Sequence, residues 1–529
     1  MSLFRSKAFN ICLVGLLSLT ATAQNPYLDG QRPITLSADR QLFLDDSLVE
    51  SRSNVTRVLH QPVKEPEPIL VGDQPWENWT VDIFGTPSIH FDDAQHIYRL
   101  WYTAYDVAAD NYYICYATSM DGVHWTKPIL GIKDHNGSKQ NNIVNTGRVH
   151  WPNSTVLIDE HEANPARRYK SLSFDFAPTQ SPETSSPVHP WPRGAEELKK
   201  GRSVGVALAF SPDGLNWTLY DGNPVLKDPQ AAGDTHFLLG WDDNYHGYVG
   251  YFRPSYAASG GPRVIGFSTS HDFTHWTTPE IILRPDSQDP ITDEFYGMPV
   301  LKYQGRYIGF LWIYHNSPNP ALVSSPNMAN LAGAQQTLET QLTYSEDGKH
   351  FIRVGDRQLF LPAGPRDSWD RGMVTASDMI VHGNELWIYY GGWGPRHSGD
   401  DFKLVGTTVN GHRVMGALGL AKLRLDGFVS LHAGASEGMV LTRQIRIGDR
   451  TLVRVNADAG HGMVSTELLN DKFEPIPGFT RADAQVIEED LTSKEVSWRG
   501  HSDLSSLRGQ VIRIRFYLQD ADLYSVALQ

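Results

Sequence analysis

Four short segments carry an acid at or just before the start of a strand-like apolar run. Asp82 precedes Phe84-Gly85-Thr86-Pro87, and Asp234 stands in Gly233-Asp234-Thr235-His236. The pair Asp293-Glu294 precedes Tyr296-Gly297-Met298-Pro299, and Asp378 ends Thr375-Ala376-Ser377-Asp378. A fifth segment, Trp151-Pro152-Asn153-Ser154, is polar but lacks an acid. Asp82 and Glu294 are in register, each three residues ahead of the Gly of a Gly-x-Pro step. Two carboxyl groups brought face to face suit cleavage of a glycosidic bond, one as proton donor and the other as base or nucleophile. For any one of them taken alone, a solvated loop carboxylate or a backbone cap is the plainer reading.

Polar and aromatic residues near the same segments would complete a sugar site. Trp76, Trp79, Trp151 and Trp393 could stack an indole on a sugar ring, and Asn153, His236, Tyr296, Arg371 and Asp378 could bind hydroxyls or a carboxylate. A structural hydrogen bond or ion pair explains His236 and Arg371 equally well, and Arg396-His397 has the same two readings. No His-Glu-x-x-His, Cys-x-x-Cys or phosphate-cradling glycine loop is present. Gly434-Ala435-Ser436-Glu437-Gly438 matches the nucleophile-elbow pattern. That motif needs a helix after it, whereas the run Met439–Ile447 reads as strand. The expected chemistry needs no cofactor, although so many acids offer oxygen ligands for a structural Ca²⁺.

Such acids lie far apart in sequence, so the fold must bring them together. The elements that do so repeat. Ser119-Met120-Asp121-Gly122-Val123-His124-Trp125 recurs as Ser211-Pro212-Asp213-Gly214-Leu215-Asn216-Trp217, then as Ser270-His271-Asp272-Phe273-Thr274-His275-Trp276 and as Ser345-Glu346-Asp347-Gly348-Lys349-His350-Phe351. A degenerate fifth copy surrounds Asp426-Gly427. Each copy is a hairpin in which an Asp-Gly type step, Asp272-Phe273 in the third copy, supplies the turn and an aromatic returns on the next strand. Trp125, Trp217 and Trp276 therefore read as packing between sheets rather than as ligand platforms. A pair of strands precedes each hairpin: Pro87–Phe91 with Tyr98–Ala104, Thr155–Asp159 with Arg168–Phe174, and Phe237–Trp241 with Gly247–Phe252. Pro299–Tyr303 with Arg306–Ile313, and Asp378–Val381 with Glu385–Tyr390, complete the set. Four strands repeated five times predict an all-β, five-bladed β-propeller, whose inner strands all start around one axial cavity. Only Ala195–Lys200 and Met328–Thr340 show helical periodicity.

After Leu431 the alternating runs continue without the hairpin, as in Ile512–Leu518, which predicts a β-sandwich. The expected domains are a signal peptide over 1–23, a propeller over 24–434 and a sandwich over 435–529, with Gln41–Glu50 as an outer strand that helps close the ring. Residues 1–23 combine Arg5 and Lys7, an apolar stretch from Ala8 to Leu19 and Ala21-Thr22-Ala23. This is the pattern of a cleaved, bacterial-style export signal, so the mature protein is expected to be secreted or periplasmic. Cleavage leaves 44 basic against 60 acidic residues, a net charge of −16. That charge disfavours nucleic acid and anionic membrane surfaces and suits a neutral partner such as a carbohydrate. No other segment is long and apolar enough to span a bilayer. Of the two cysteines only Cys115 survives cleavage, so core burial rather than a disulfide holds the fold.

The repeated four-strand pattern, the acids at inner-strand starts and the trailing sandwich resemble the glycoside hydrolase clan of families 32 and 43, from about Leu42 to the C-terminus. The resemblance implies an enzyme that hydrolyses off a terminal sugar using three carboxylates on the innermost strands. By position, Asp82 would be the nucleophile or base, Glu294 the general acid and Asp234 the acid that tunes charge or orientation. The clan's Asn-Asp-Pro and Arg-Asp-Pro segments are absent, and the acids here fall on blades one, three and four, where the clan uses one, two and three. Two alternatives stand beside this reading. One is a non-catalytic glycan-binding propeller. The other is a polysaccharide lyase that uses a His or Tyr, with His236, Tyr296 and Arg371 as its site.

Overall fold

The computed structural model describes residues 32–78, 80–81, 88–106, 111–146, 155–178, 202–227, 235–316, 336–397, 407–409 and 411–529. Among the described residues, antiparallel sheets follow one another along the chain, the last two joined by a parallel bridge between Leu338 and Met373. The first is Ser88–Asp92, Ile97–Asp106, Asn111–Ser119 and Trp125–Thr126; the second is Thr155–Ile158, Tyr169–Pro178, Arg202–Ser211 and Thr218–Leu219. The third is Phe237–Asp242, Gly247–Phe252, Ile265–Ser270 and Glu280–Leu283. In the fourth, Asp293–Gly297 and Val300–Tyr303 form a broken inner strand beside Arg306–His315, then Thr337–Ser345 with Ile352–Arg353 and Leu359–Leu361. The fifth is Met373–His382, Glu385–Trp393 and Gly416–Arg424.

Neighbouring sheets are tied in cyclic order near their inner strands. The Val156 N–H donates to Ser88 Oγ at 2.9 Å, Thr155 Oγ1 to the His236 carbonyl at 3.4 Å, and Thr235 Oγ1 to the Tyr296 carbonyl at 2.7 Å. Trp312 Nε1 donates to the Ala376 carbonyl at 2.7 Å, and the Ile89 N–H returns to Asp378 Oδ2 at 3.1 Å. The sheets thus close on themselves as propeller blades. Second strands are apolar on both faces because each blade packs between two others: all six residues of Gly247–Phe252 are buried, as are eight of ten in Arg306–His315.

The repeated hairpins share one set of bonds. In each of the four copies the Ser hydroxyl donates to Asp Oδ1, which also accepts the N–H groups two and three residues on. Trp217 and Trp276 then donate Nε1 to the carbonyls of Gly214 and Phe273. The fifth copy is built differently. Asp426 is buried and accepts from Arg40 Nε at 2.6 Å, Tyr303 Oη at 2.5 Å and Ser525 Oγ at 2.6 Å. It joins the fifth blade to the N-terminal segment, the fourth blade and the sandwich.

The expected ring closure by Gln41–Glu50 is corrected. Val63–Lys64 and Leu70–Val71 supply the outer strand of the fifth blade, against Gly416–Arg424. Gln41–Leu42 pairs instead with Ala521–Leu528, Val49–Ser53 with Gly438–Thr442, and Thr56–Leu59 with Val429–Ala433. The 24–434 and 435–529 division therefore misplaces these segments, whose apolar side chains Phe43, Leu48 and Val49 fill the sandwich core with Ile514, Phe516 and Leu523. Thr337–Thr340, expected as the end of a helix, is strand; Ala195–Lys200 and 328–335 lie outside the described residues. The strand Gly438–Thr442 directly follows the Gly434–Gly438 motif, which is thus no nucleophile elbow.

Candidate active site

Glu294 sits second in the inner strand of the fourth blade, where a register shift between Phe295 and Gly297 breaks the regular pairing. Its side chain is 13% exposed. Arg263, which follows the Gly260-Gly261-Pro262 turn before the third strand of the third blade, grips it twice. Arg263 Nη1 donates to Glu294 Oε2 at 2.7 Å and the Arg263 backbone N–H donates to the same oxygen at 3.2 Å. The other oxygen accepts from Asn316 Nδ2 at 3.2 Å. The Phe295 N–H donates to the Arg263 carbonyl at 3.1 Å, so main chain as well as side chain locks the two segments together. The guanidinium lies 4.8 Å from the Tyr314 ring centroid and 5.2 Å from that of Tyr296, faces that favour a cation.

A second ionic chain lies beside this one. His315 places Nδ1 3.0 Å from Asp293 Oδ2 and Nε2 3.3 Å from Glu339 Oε2. Burial disfavours a charged imidazole, but bonds to Asp293 and Glu339 outweigh it and push His315 up to about 9. Tyr296 shares a 2.8 Å hydrogen bond with His397 Nε2, and the Arg253 guanidinium stacks 4.6 Å from the Tyr296 centroid. Among the described residues no group of three or more His, Cys, Asp or Glu is arranged to hold a metal ion.

Asp378 stands apart from this cluster, at the seam between the fifth and first blades. Its oxygens accept from the N–H groups of Ile89, at 3.1 Å, and Met379, at 2.8 Å. Some of its surface reaches solvent, yet the dense surroundings dominate: desolvation, partly offset by these two bonds, pushes the carboxyl up to about 7.

Of the residues singled out from sequence, Asp82, Asp234, Trp79, Trp151 and Asn153 lie outside the described residues. Glu294 and Tyr296 come together around the Arg263 guanidinium, and His397 bonds the Tyr296 hydroxyl. Trp393, expected as a sugar platform, is corrected. Its ring is only 2% exposed and packs in the cluster that contains Tyr296 and Tyr314. Trp76 is likewise buried and donates to Asn142 Oδ1 at 2.9 Å. Tyr296 and His236 are 1% exposed, so they sit in the wall, the latter 5.5 Å ring to ring from Phe252. Arg371 donates to the Ser368 carbonyl at 3.3 Å. Sequence reasoning missed Arg263, Asn316, His315 and Glu339. A glycine turn before a strand was the one signal for Arg263, and the other three are strand-end polar residues without a motif.

No family model matches the chain, and no curated protein does. Solved structures are similar at low identity. One is an N-acetylgalactosamine deacetylase from F. plautii in complex with blood group B trisaccharide, 14% identical with a TM-score of 0.44, covering 71% of this chain and 97% of that one. Another is the Bombyx mori GH32 β-fructofuranosidase, 12% identical with a TM-score of 0.42, over 88% of this chain and 94% of that one. A Bacteroides ovatus glycosyl hydrolase is 14% identical with a TM-score of 0.41, over 69% and 94%. The chain resembles glycoside hydrolase structures. At such identities the likeness concerns fold and transfers no residue roles. No helix among the described residues is long and apolar enough to cross a membrane.

Proposed function

We propose that this protein is an exported glycoside hydrolase that releases a terminal sugar from an oligosaccharide or polysaccharide at the strand-start end of its propeller axis. The observation that carries this reading is Glu294: a carboxylate at the start of an inner strand, largely buried yet not sealed, and oriented by three hydrogen bonds. A carboxylate so fixed is pre-organised for work at an anomeric carbon, where one acid protonates the leaving oxygen and another carboxylate activates water or attacks. Asp82, in register with Glu294 by sequence, is the proposed partner, and Asp234 the third axial acid. The wall formed by Tyr296, Tyr314 and Arg263 would exclude water on one side of the reacting sugar.

The test is product release from a panel of oligosaccharides, polysaccharides and aryl glycosides, with absorbance recorded for unsaturated products. Wild type should free monosaccharide, and Glu294→Gln and Asp82→Asn should each lower kcat by about 10²–10⁴. Unsaturated products would replace the reading with a lyase. Saturable sugar binding without turnover, unchanged in Glu294→Gln, would replace it with a glycan-binding protein.

A further inference from the structure

We infer that Arg263 is a positioning residue that holds Glu294 as an ionised hydrogen-bond acceptor, so that Glu294 serves as base or nucleophile and not as the proton donor its sequence position implies. The inference rests on the hydrolase reading above and specifies the role of one residue within it.

The argument is one of donors and acceptors. Glu294 Oε2 receives two N–H groups of Arg263, one from the guanidinium and one from the backbone, and Oε1 receives the Asn316 amide. Guanidinium and backbone N–H groups only donate. A proton on Oε2 would face the two donors of Arg263, and a proton on Oε1 would leave a neutral carboxyl against the guanidinium, giving up the charge-assisted bond, the stronger kind. The side chain of Arg263 cannot easily withdraw either. Its guanidinium lies against Tyr296 and Tyr314, and its carbonyl is anchored by the Phe295 N–H. Of the other neighbouring cations among the described residues, His315 is engaged by Asp293 and Glu339, and the Arg253 guanidinium lies over the Tyr296 ring.

In the resulting step, Glu294 as base takes a proton from water as the water oxygen bonds to the anomeric carbon. The bond from that carbon to the leaving oxygen breaks, and a separate carboxylic acid protonates that oxygen. As nucleophile, Glu294 would instead form the carbon–oxygen bond itself, and water would release the sugar in a second step.

The experiment compares wild type, Glu294→Gln, Arg263→Met and the conservative Arg263→Lys on two substrate types. One is an oligosaccharide whose leaving sugar needs protonation; the other is a dinitrophenyl glycoside whose leaving group does not. Glu294→Gln should lose about 10²–10⁴ in kcat on both types. Arg263→Met should lose on the order of 10² on both, with the acidic limb of its kcat/KM profile moved to higher pH, and Arg263→Lys should recover part of each change. Retention of dinitrophenyl glycoside turnover by Glu294→Gln, or an unmoved acidic limb in Arg263→Met, overturns the inference. If wild type turns over nothing, the hydrolase reading fails by itself. Infrared difference spectra between wild type and Glu294→Gln at neutral pH then decide the charge state. A carboxylate band that becomes a carboxylic-acid band in Arg263→Met upholds the positioning role, and a carboxylic-acid band already present in wild type refutes it.

Discussion

Replacing Asp378 with asparagine removes a charge from the seam where the fifth blade meets the first, while keeping the shape of the side chain. The folded carboxyl sits at about 7, against an ordinary value of 3.8. As pH rises, the unfolded chain therefore gives up this proton first, and the folded chain holds more protons between the two values. Stability consequently falls with pH across that window by about 1.4 kcal/mol per pH unit, to a total of about 4 kcal/mol above pH 7. Asparagine escapes this cost but cannot reproduce both bonds. Its single carbonyl can accept from Ile89 or from Met379, and its NH₂ group would face the remaining N–H, a loss of about 1–3 kcal/mol. The net expectation is a gain of about 1–3 kcal/mol at pH 8 and a loss of similar size near pH 4, where both variants are neutral. Scanning calorimetry of wild type and Asp378→Asn at four pH values between these limits reads the crossing directly. Parallel curves, with the same difference in melting temperature at every pH, would refute the assignment of a desolvated carboxyl at this seam.

Three further outcomes follow from the fold. Burial opposes charge on His315 but its bonds to Asp293 and Glu339 raise it from 6.5 to about 9. Its contribution is therefore complete below about pH 6.5 and lost through about pH 9, and His315→Gln should cost about 3 kcal/mol near pH 6 and little above pH 10. Gly214 has φ +76° and a Cβ there would lie 2.6 Å from the Trp101 ring, so Gly214→Ala should destabilise by about 2–4 kcal/mol in thermal unfolding. Asp426→Ala strips the buried acceptor shared by Arg40, Tyr303 and Ser525, and should cost about 3–5 kcal/mol. Chemical denaturation should then show propeller and sandwich unfolding in separate steps, where wild type unfolds in one.

The features legible in the sequence were those written in local bonds. Ser and Asp in each hairpin satisfy N–H groups two and three residues away, so Ser-x-Asp-Gly repeats announce the turns whatever surrounds them. The alternating or fully apolar strands between them carry their own period, and together these fix an all-β propeller with a trailing sandwich. Contacts between distant segments had no such signature. Arg263 meets Glu294 across 31 positions, and Asp378 meets Ile89 across 289. In the fifth hairpin the turn motif survives, but Asp426 exchanges its local partners for Arg40, Tyr303 and Ser525, up to 386 residues away. The same holds for exposure: Trp393 reads as a sugar-stacking indole until the packing of the fourth and fifth blades encloses it. The N-terminal segment shows the limit most clearly. Gln41–Leu42 and Leu70–Val71 are equally strand-like, and only the positions of the two sheet edges that remain open once the blades and sandwich form decide that the first joins Ala521–Leu528 and the second joins Gly416–Arg424. An unpaired edge is a property of the assembled sheet, and it takes shape only when long stretches of chain have already been brought together.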